Sequence, residues 1–157
     1  MTESGGQAPR RRLRAAAACA AVVLAAPPAR AFFHNEPDIE GGRAIYQARC
    51  AVCHGVNLEG QPDWQSPNAQ GVYPAPPHDT TGHTWHHGNI MLRDYIARGG
   101  QAVLDEMGVP FTSGMPGFGD ELTAADIEAV LDYIKSTWPE PIRAMQDERS
   151  RLEALDP

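Results

Sequence analysis

The sequence has few cysteines and few basic residues, and it lacks a long apolar run. Three cysteines in 157 residues are too few for the disulfide framework of a small secreted domain. The 13 lysines and arginines are outnumbered by 20 acidic residues, which argues against nucleic-acid binding because that function needs basic surface to neutralise phosphates. The apolar run 15–26 has 12 residues, whereas a membrane-spanning helix needs about 20. The length corresponds to about one domain.

The first 31 residues are predicted to be a secretory signal peptide. Four arginines between positions 10 and 14 precede the apolar run 15–26, and Ala29 and Ala31 flank Arg30 in a small-x-small cleavage pattern. An uncleaved membrane anchor is one alternative, and a lipoprotein attached through Cys19 is a weaker one. We therefore expect a periplasmic or otherwise exported protein.

Cleavage after Ala31 changes the charge balance, because the leader contains five basic residues and one acidic residue. The mature chain of 126 residues then carries 8 basic and 19 acidic residues, a net charge of −11. This charge fits a partner with a basic docking patch. It equally fits an acidic surface that only keeps the protein soluble.

The rest of the chain predicts an all-α fold with long loops. Asp38 is a candidate N-cap for a first helix that runs to about residue 48. Residues 55–88 contain many prolines and glycines without hydrophobic periodicity, and they are predicted to be loop. A loop of this length in a compact domain is expected to wrap around a bound group. Residues 89–98 predict a short helix, and 101–120 a second loop.

The closing helix has the clearest signals in the sequence. Thr123 is its predicted N-cap, and Asp126 completes a capping box in which Asp replaces the usual Glu or Gln. An apolar stripe follows at helical spacing and consists of Ile127, Val130, Leu131, Ile134 and Trp138. The highly charged residues 142–155 predict a frayed surface helix.

Cys50, Cys53 and His54 form a C-x-x-C-H motif. Two thiols three residues apart can reach two vinyl groups on one edge of a porphyrin, and the next residue then places an imidazole beneath the iron. The pattern is typical of c-type haem attachment, and export agrees because such haem is attached outside the cytoplasm. A thioredoxin-like motif would need a βαβ setting that is not visible. A structural zinc site would need four ligands, some of them from loop histidines.

Together with this motif, the segment Ser113–Asp120 and the closing helix make the chain resemble the class I, single-haem c-type cytochromes over about residues 38–138. The resemblance implies an all-α fold wrapped around one haem c, bound through two thioethers, with electron transfer as the function. We accordingly expect a cytochrome c domain over 32–140, followed by a charged tail over 141–157. The resemblance also implies that Gly42 and Tyr46 pack against Val130 and Tyr133.

The second axial ligand of the iron is expected to be Met115. Met91 lies in a predicted helix and Met145 in the charged tail, whereas Met115 lies in a turn rich in glycine and proline and matches the position of the ligand in the family. Met107 is the alternative. Ligation by His and Met raises the reduction potential relative to two histidines.

The imidazole of His54 needs a hydrogen-bond acceptor for its other ring nitrogen. The resemblance suggests a proline carbonyl in the following loop, for which Pro77 is the candidate and Pro76 the alternative. We expect the loop that contains four further histidines to fold over the haem edge; these are His78, His83, His86 and His87. A second metal site and an alternative haem ligand are the other interpretations of these histidines. The tryptophans are expected to be packing or propionate partners; they are Trp64, Trp85 and Trp138.

Three functions remain open at this point. We expect an electron carrier or electron-transfer subunit, not an enzyme, that serves redox partner proteins and meets a membrane only through a membrane-bound partner. The main alternative is a haem enzyme, or a sensor of a gas or peroxide, with a displaceable distal ligand. The third is a metal-binding protein that uses the histidine loop.

Overall fold

The computed structural model describes residues 1–2 and 36–155. The predicted signal peptide, apart from its first two residues, and its cleavage site lie outside the described residues and stay predictions. Within the described residues, no helix is both long and apolar enough to cross a membrane.

The domain is helical, as predicted. A π-helical turn, Tyr46–Cys50, joins the first two α-helices, so the chain follows one helical path from Ile39 to His54. A short 3-10 turn, Thr84–His86, lies in the long loop. The α-helices of the described region are α1 (Ile39–Ile45), α2 (Ala51–His54), α3 (Asn89–Arg98), α4 (Gly100–Glu106), α5 (Ala124–Ser136) and α6 (Glu140–Glu153).

Helices α1 and α5 cross at close range, and glycine makes that approach possible. A Cβ atom at Gly42 would lie 1.9 Å from the carbonyl oxygen of Ala129 and 3.1 Å from the Cβ of Tyr133. Tyr46, fully buried, has its ring centroid 5.4 Å from that of Tyr133. The expected packing of Gly42 and Tyr46 on the last helix of the family pattern is therefore confirmed. Because α1 continues into α2, this crossing also positions the C-x-x-C-H motif.

The caps and the apolar face of α5 agree with the sequence. The backbone N–H of Asp126 donates to the Thr123 hydroxyl at 3.2 Å, and the Thr123 N–H donates back to the Asp126 carboxylate at 2.9 Å. The whole predicted stripe is buried, with Val130 only 1% exposed. Asp38 likewise caps α1 by accepting from the Gly41 N–H at 2.9 Å.

The predicted loop over 101–120 is wrong in its first part, where α4 lies. Gly99 ends α3 with a positive φ of +86°, a backbone conformation that glycine adopts readily because it has no Cβ. The chain then enters a new helix at once, and Val103 and Leu104 are its buried apolar face. Two adjacent glycines therefore separate two helices.

The C-terminal helix is packed and not frayed. Gln146 of α6 is fully buried, and its Nε2 donates to the Asn89 side chain at 2.8 Å and to the His87 carbonyl at 3.2 Å. The Glu153 carboxylate accepts from the N–H groups of Ile90 and Met91 at 2.7 and 2.9 Å. These amides belong to the first turn of α3 and have no partner within that helix. The predicted division between domain and tail at residue 140 stays a prediction.

Candidate haem-binding site

The two motif cysteines lie on the helical path that ends at His54. Both thiols are free; Cys50 is partly buried and Cys53 is exposed. Burial raises the pKa of the Cys50 thiol to about 11, and the neighbouring Cys53 adds to the shift. Before haem is attached, the Cys50 thiol is therefore protonated at neutral pH and has little thiolate character.

His54 is held as a neutral imidazole with one nitrogen free. Its side chain is 7% exposed, and its Nδ1 lies 2.8 Å from the Pro76 carbonyl oxygen. A carbonyl can only accept, so Nδ1 carries the proton and Nε2 keeps its lone pair, the arrangement found in metal-binding histidines. Burial lowers the pKa of His54, although the contact with Pro76 opposes the shift. Both the tautomer and the protonation state suit binding to iron.

The acceptor for His54 is Pro76 and not the predicted Pro77. The Pro77 carbonyl oxygen instead accepts from the Thr84 hydroxyl at 3.5 Å. The Pro77 carbonyl oxygen also packs closely against Gly82, where a Cβ atom would lie only 1.9 Å from that oxygen. The two adjacent carbonyls have different partners, and only that of Pro76 faces the imidazole.

The segment that contains Met115 is fastened to the end of α3. The carbonyls of Ile96 and Ala97, in the last turn of α3, accept from the N–H groups of Phe118 and Gly119 at 2.8 and 2.9 Å. Helix ends leave such carbonyls without partners, so these contacts satisfy them. The Met115 carbonyl also accepts from the Gly100 N–H at 3.0 Å. The loop is therefore held by backbone hydrogen bonds along its length.

Met115 and Met107 differ in their surroundings. Met115 is partly buried and packs against the hydrophobic core that also contacts Cys50 and Trp85. The Met107 side chain is 51% exposed. Of the two candidates for the second axial position, Met115 is therefore partly buried and Met107 is exposed.

Trp85 supplies an observation that fits a haem independently of the motif. Its indole Nε1 is buried and has no hydrogen-bond partner among the described residues. An unpaired buried N–H costs about 1–3 kcal/mol, so such a group in a native protein calls for an explanation. A haem propionate oxygen is an acceptor of the right kind, and Trp85 lies on the same core as Cys50. The residues present therefore fit haem c.

The histidines of the long loop lie in different environments. The His78 ring lies against His54, with ring centroids 4.0 Å apart, whereas His83 and His86 are exposed. His83 is 5.2 Å from His87 between ring centroids. Burial, followed by the neighbouring His54 and His83, lowers the pKa of His78 well below its ordinary value. The four histidines are close in sequence and were predicted as one group, so the placement of His78 against His54 was not predicted. The available signal was the position of His78 directly after Pro76 and Pro77.

No group of three or more His, Cys, Asp or Glu side chains in the described region is placed to hold a metal ion. The side chains described above are instead those expected at a haem site. Two neighbouring thiols, a buried imidazole with a free Nε2 and an unpaired indole N–H together define a c-type haem protein.

Comparison with known proteins agrees with this class. A family model for cytochrome c matches residues 39–138, and the chain belongs to the cytochrome c family. It is also 30% identical over 113 residues to a thiosulfate dehydrogenase from Psychrobacter arcticus. That match covers 71% of this chain and 29% of the relative, so the chain spans less than a third of the relative's length. No solved structure matches the chain.

Proposed function

We propose that the protein is an exported, single-haem electron-transfer protein whose iron is bound by His54 and Met115. The haem, attached through Cys50 and Cys53, supplies a one-electron iron couple. The observation that carries the proposal is the fastening of the Met115 segment to α3, through the carbonyls of Ile96 and Ala97.

The chain's own residues favour a closed and rigid iron site. The Pro76 carbonyl fixes the His54 tautomer, so Nε2 needs no proton transfer before it binds iron. The Met115 backbone is restrained on both sides, because its N–H donates to the Ser113 hydroxyl at 3.2 Å and its carbonyl accepts from Gly100. Ligands held in this way exchange slowly, which suits electron transfer better than binding of an outside molecule.

The acidic surface favours a redox partner that has a basic docking patch. The net charge of −11 that follows from removal of residues 1–31 would attract a partner with a positive patch and speed its encounter. We propose that the protein reaches the periplasm through its leader and meets a membrane only through a membrane-bound partner.

Two substitutions separate Met115 from Met107. In Met115→Ala the reduction potential should fall and the reduced protein should bind carbon monoxide readily, because the iron loses its sulfur ligand. Met107→Ala is the matched control and should change neither property, since Met107 is half exposed. If both variants keep the potential of the unmodified protein and stay closed to carbon monoxide, another residue is the ligand.

Covalent attachment has its own test. Replacement of Cys50 and Cys53 by alanine should abolish haem staining after denaturing electrophoresis. A band of full strength in the double variant would contradict attachment through these thiols.

A second candidate function is catalysis at the haem, with thiosulfate as a substrate. It is favoured by the similarity to a protein named thiosulfate dehydrogenase. Mixing the oxidised protein with thiosulfate distinguishes the candidates. The electron-carrier proposal predicts no reduction on the time scale of reduction by a redox partner, whereas rapid reduction would favour the enzyme.

A further inference from the structure

His78 is held in place by three separate hydrogen bonds. Its backbone N–H donates to the Leu58 carbonyl at 2.8 Å, and its carbonyl accepts from the Trp138 indole at 2.7 Å. Its Nδ1 lies 2.9 Å from the Thr84 hydroxyl. Both the backbone and the ring of His78 are therefore restrained, and the residue can act as a fixed surface for a neighbour.

The neighbour that meets this surface is the imidazole of His54. The two rings have centroids 4.0 Å apart and planes inclined by 34°. The His78 ring also makes an edge-to-face contact with Tyr46, with ring centroids 6.0 Å apart and planes inclined by 76°. Because Tyr46 is fully buried, this contact further restricts movement of the His78 ring.

The contacts of His54 with Pro76 and His78 restrain different motions of its ring. The hydrogen bond to the Pro76 carbonyl lies along the Nδ1–H direction, and it leaves the ring free to turn about that direction. The His78 ring lies against the face of the imidazole and blocks this turn on one side. The pair of contacts therefore limits the orientations that the imidazole plane can adopt.

We propose that His78 is a positioning residue that sets the orientation of the His54 imidazole plane relative to the haem. The proposal rests on the proposed function in one respect, because it takes His54 as an iron ligand. It does not depend on Met115 as the other ligand. The orientation of an axial imidazole governs how unpaired spin is distributed over the four pyrroles of ferric haem, so it can be observed directly.

The test is proton NMR of the ferric, haem-loaded protein, in which the four haem-methyl resonances report this distribution. His78→Ala should change the order and spread of these resonances and shift the reduction potential. His78→Phe retains a flat ring against His54 and should restore the order of the unmodified protein. His83→Ala, which removes an exposed histidine of the same loop, should leave the resonances unchanged.

A further variant covers the case in which His78→Ala fails to mature. Thr84→Val keeps the shape of Thr84 and removes its hydroxyl from Nδ1 of His78, so it should move the same resonances by a smaller amount. Unchanged resonances in His78→Ala or in Thr84→Val overturn the proposal. So does a change in His78→Phe as large as that in His78→Ala, because the ring face would then have no role.

The same spectra distinguish failure of this proposal from failure of the proposed function. In the reduced, unmodified protein, a methionine bound to the iron gives a methyl resonance shifted strongly upfield. Its absence would contradict ligation by Met115, while the comparison of His78 variants would still report on the His54 plane.

Discussion

The crossing of α1 and α5 predicts a measurable cost for one added methyl group. In Gly42→Ala the new Cβ would lie 1.9 Å from the Ala129 carbonyl oxygen and 2.4 Å from its carbonyl carbon. Both atoms belong to the backbone of α5, so the helices must separate by more than an ångström and loosen the packing of Tyr46. Overpacking of this kind costs about 1–3 kcal/mol, and we place this site near the upper end. Alanine recovers about 1 kcal/mol through its helix propensity, which leaves a net loss of about 2 kcal/mol.

Urea unfolding of the haem-loaded protein, followed by circular dichroism, measures this loss, and the adjacent glycine provides the control. A Cβ at Gly41 would lie 2.1 Å from a side-chain oxygen of Asp38, which can move aside. Gly41→Ala then loses a cap contact worth about 1 kcal/mol and gains about 1 kcal/mol of helix propensity, so it should be nearly neutral. If Gly42→Ala is as stable as Gly41→Ala, the crossing does not require glycine and the reasoning is refuted.

Three further predictions concern the cap of α5, the buried amide of α6 and the acidic surface. Hydrogen bonds from the Thr123 hydroxyl and then its N–H lower the pKa of Asp126. The stabilisation that Asp126 provides is therefore complete at neutral pH and is lost as the pH falls through the lowered pKa. The urea midpoint of Asp126→Asn should accordingly depend less on acid pH than that of the unmodified protein. Gln146→Ala should cost about 2 kcal/mol of unfolding free energy because it leaves partly buried acceptors without a donor. Met145→Ala, at a half-exposed position, should cost less than about 0.5 kcal/mol. Electron transfer to a basic partner should slow as salt shortens the screening length to about 8 Å or less, and rates independent of salt would leave the charge without a role in docking.

Local signals in the sequence were sufficient where a feature depends on neighbouring residues. The capping box needs only Thr123 and Asp126, and the buried stripe of α5 follows from a spacing that any helix imposes. The C-x-x-C-H motif is local for the same reason. Each of these predictions could be made without knowledge of the rest of the fold.

Features that depend on distant contacts could not be predicted in this way. The choice between Pro76 and Pro77 depends on which carbonyl faces His54 in the folded loop, and the two adjacent carbonyls have different partners. Helix α4 was not predicted because Gly99 and Gly100 indicate a helix end. The new helix is favoured by the burial of Val103, which depends on the rest of the fold. The packing of α6 depends on Gln146, a polar residue whose burial no hydrophobic pattern indicates.

The central claim is that this chain carries a haem iron closed by His54 and Met115. The most direct measurement is the visible absorption spectrum of the matured protein, recorded during a reversible redox titration. We predict a single one-electron transition and, in the oxidised form, a weak band at the red end of the spectrum that reports sulfur bound to iron. A high-spin spectrum without that band, together with ready binding of carbon monoxide by the unmodified reduced protein, would contradict the claim.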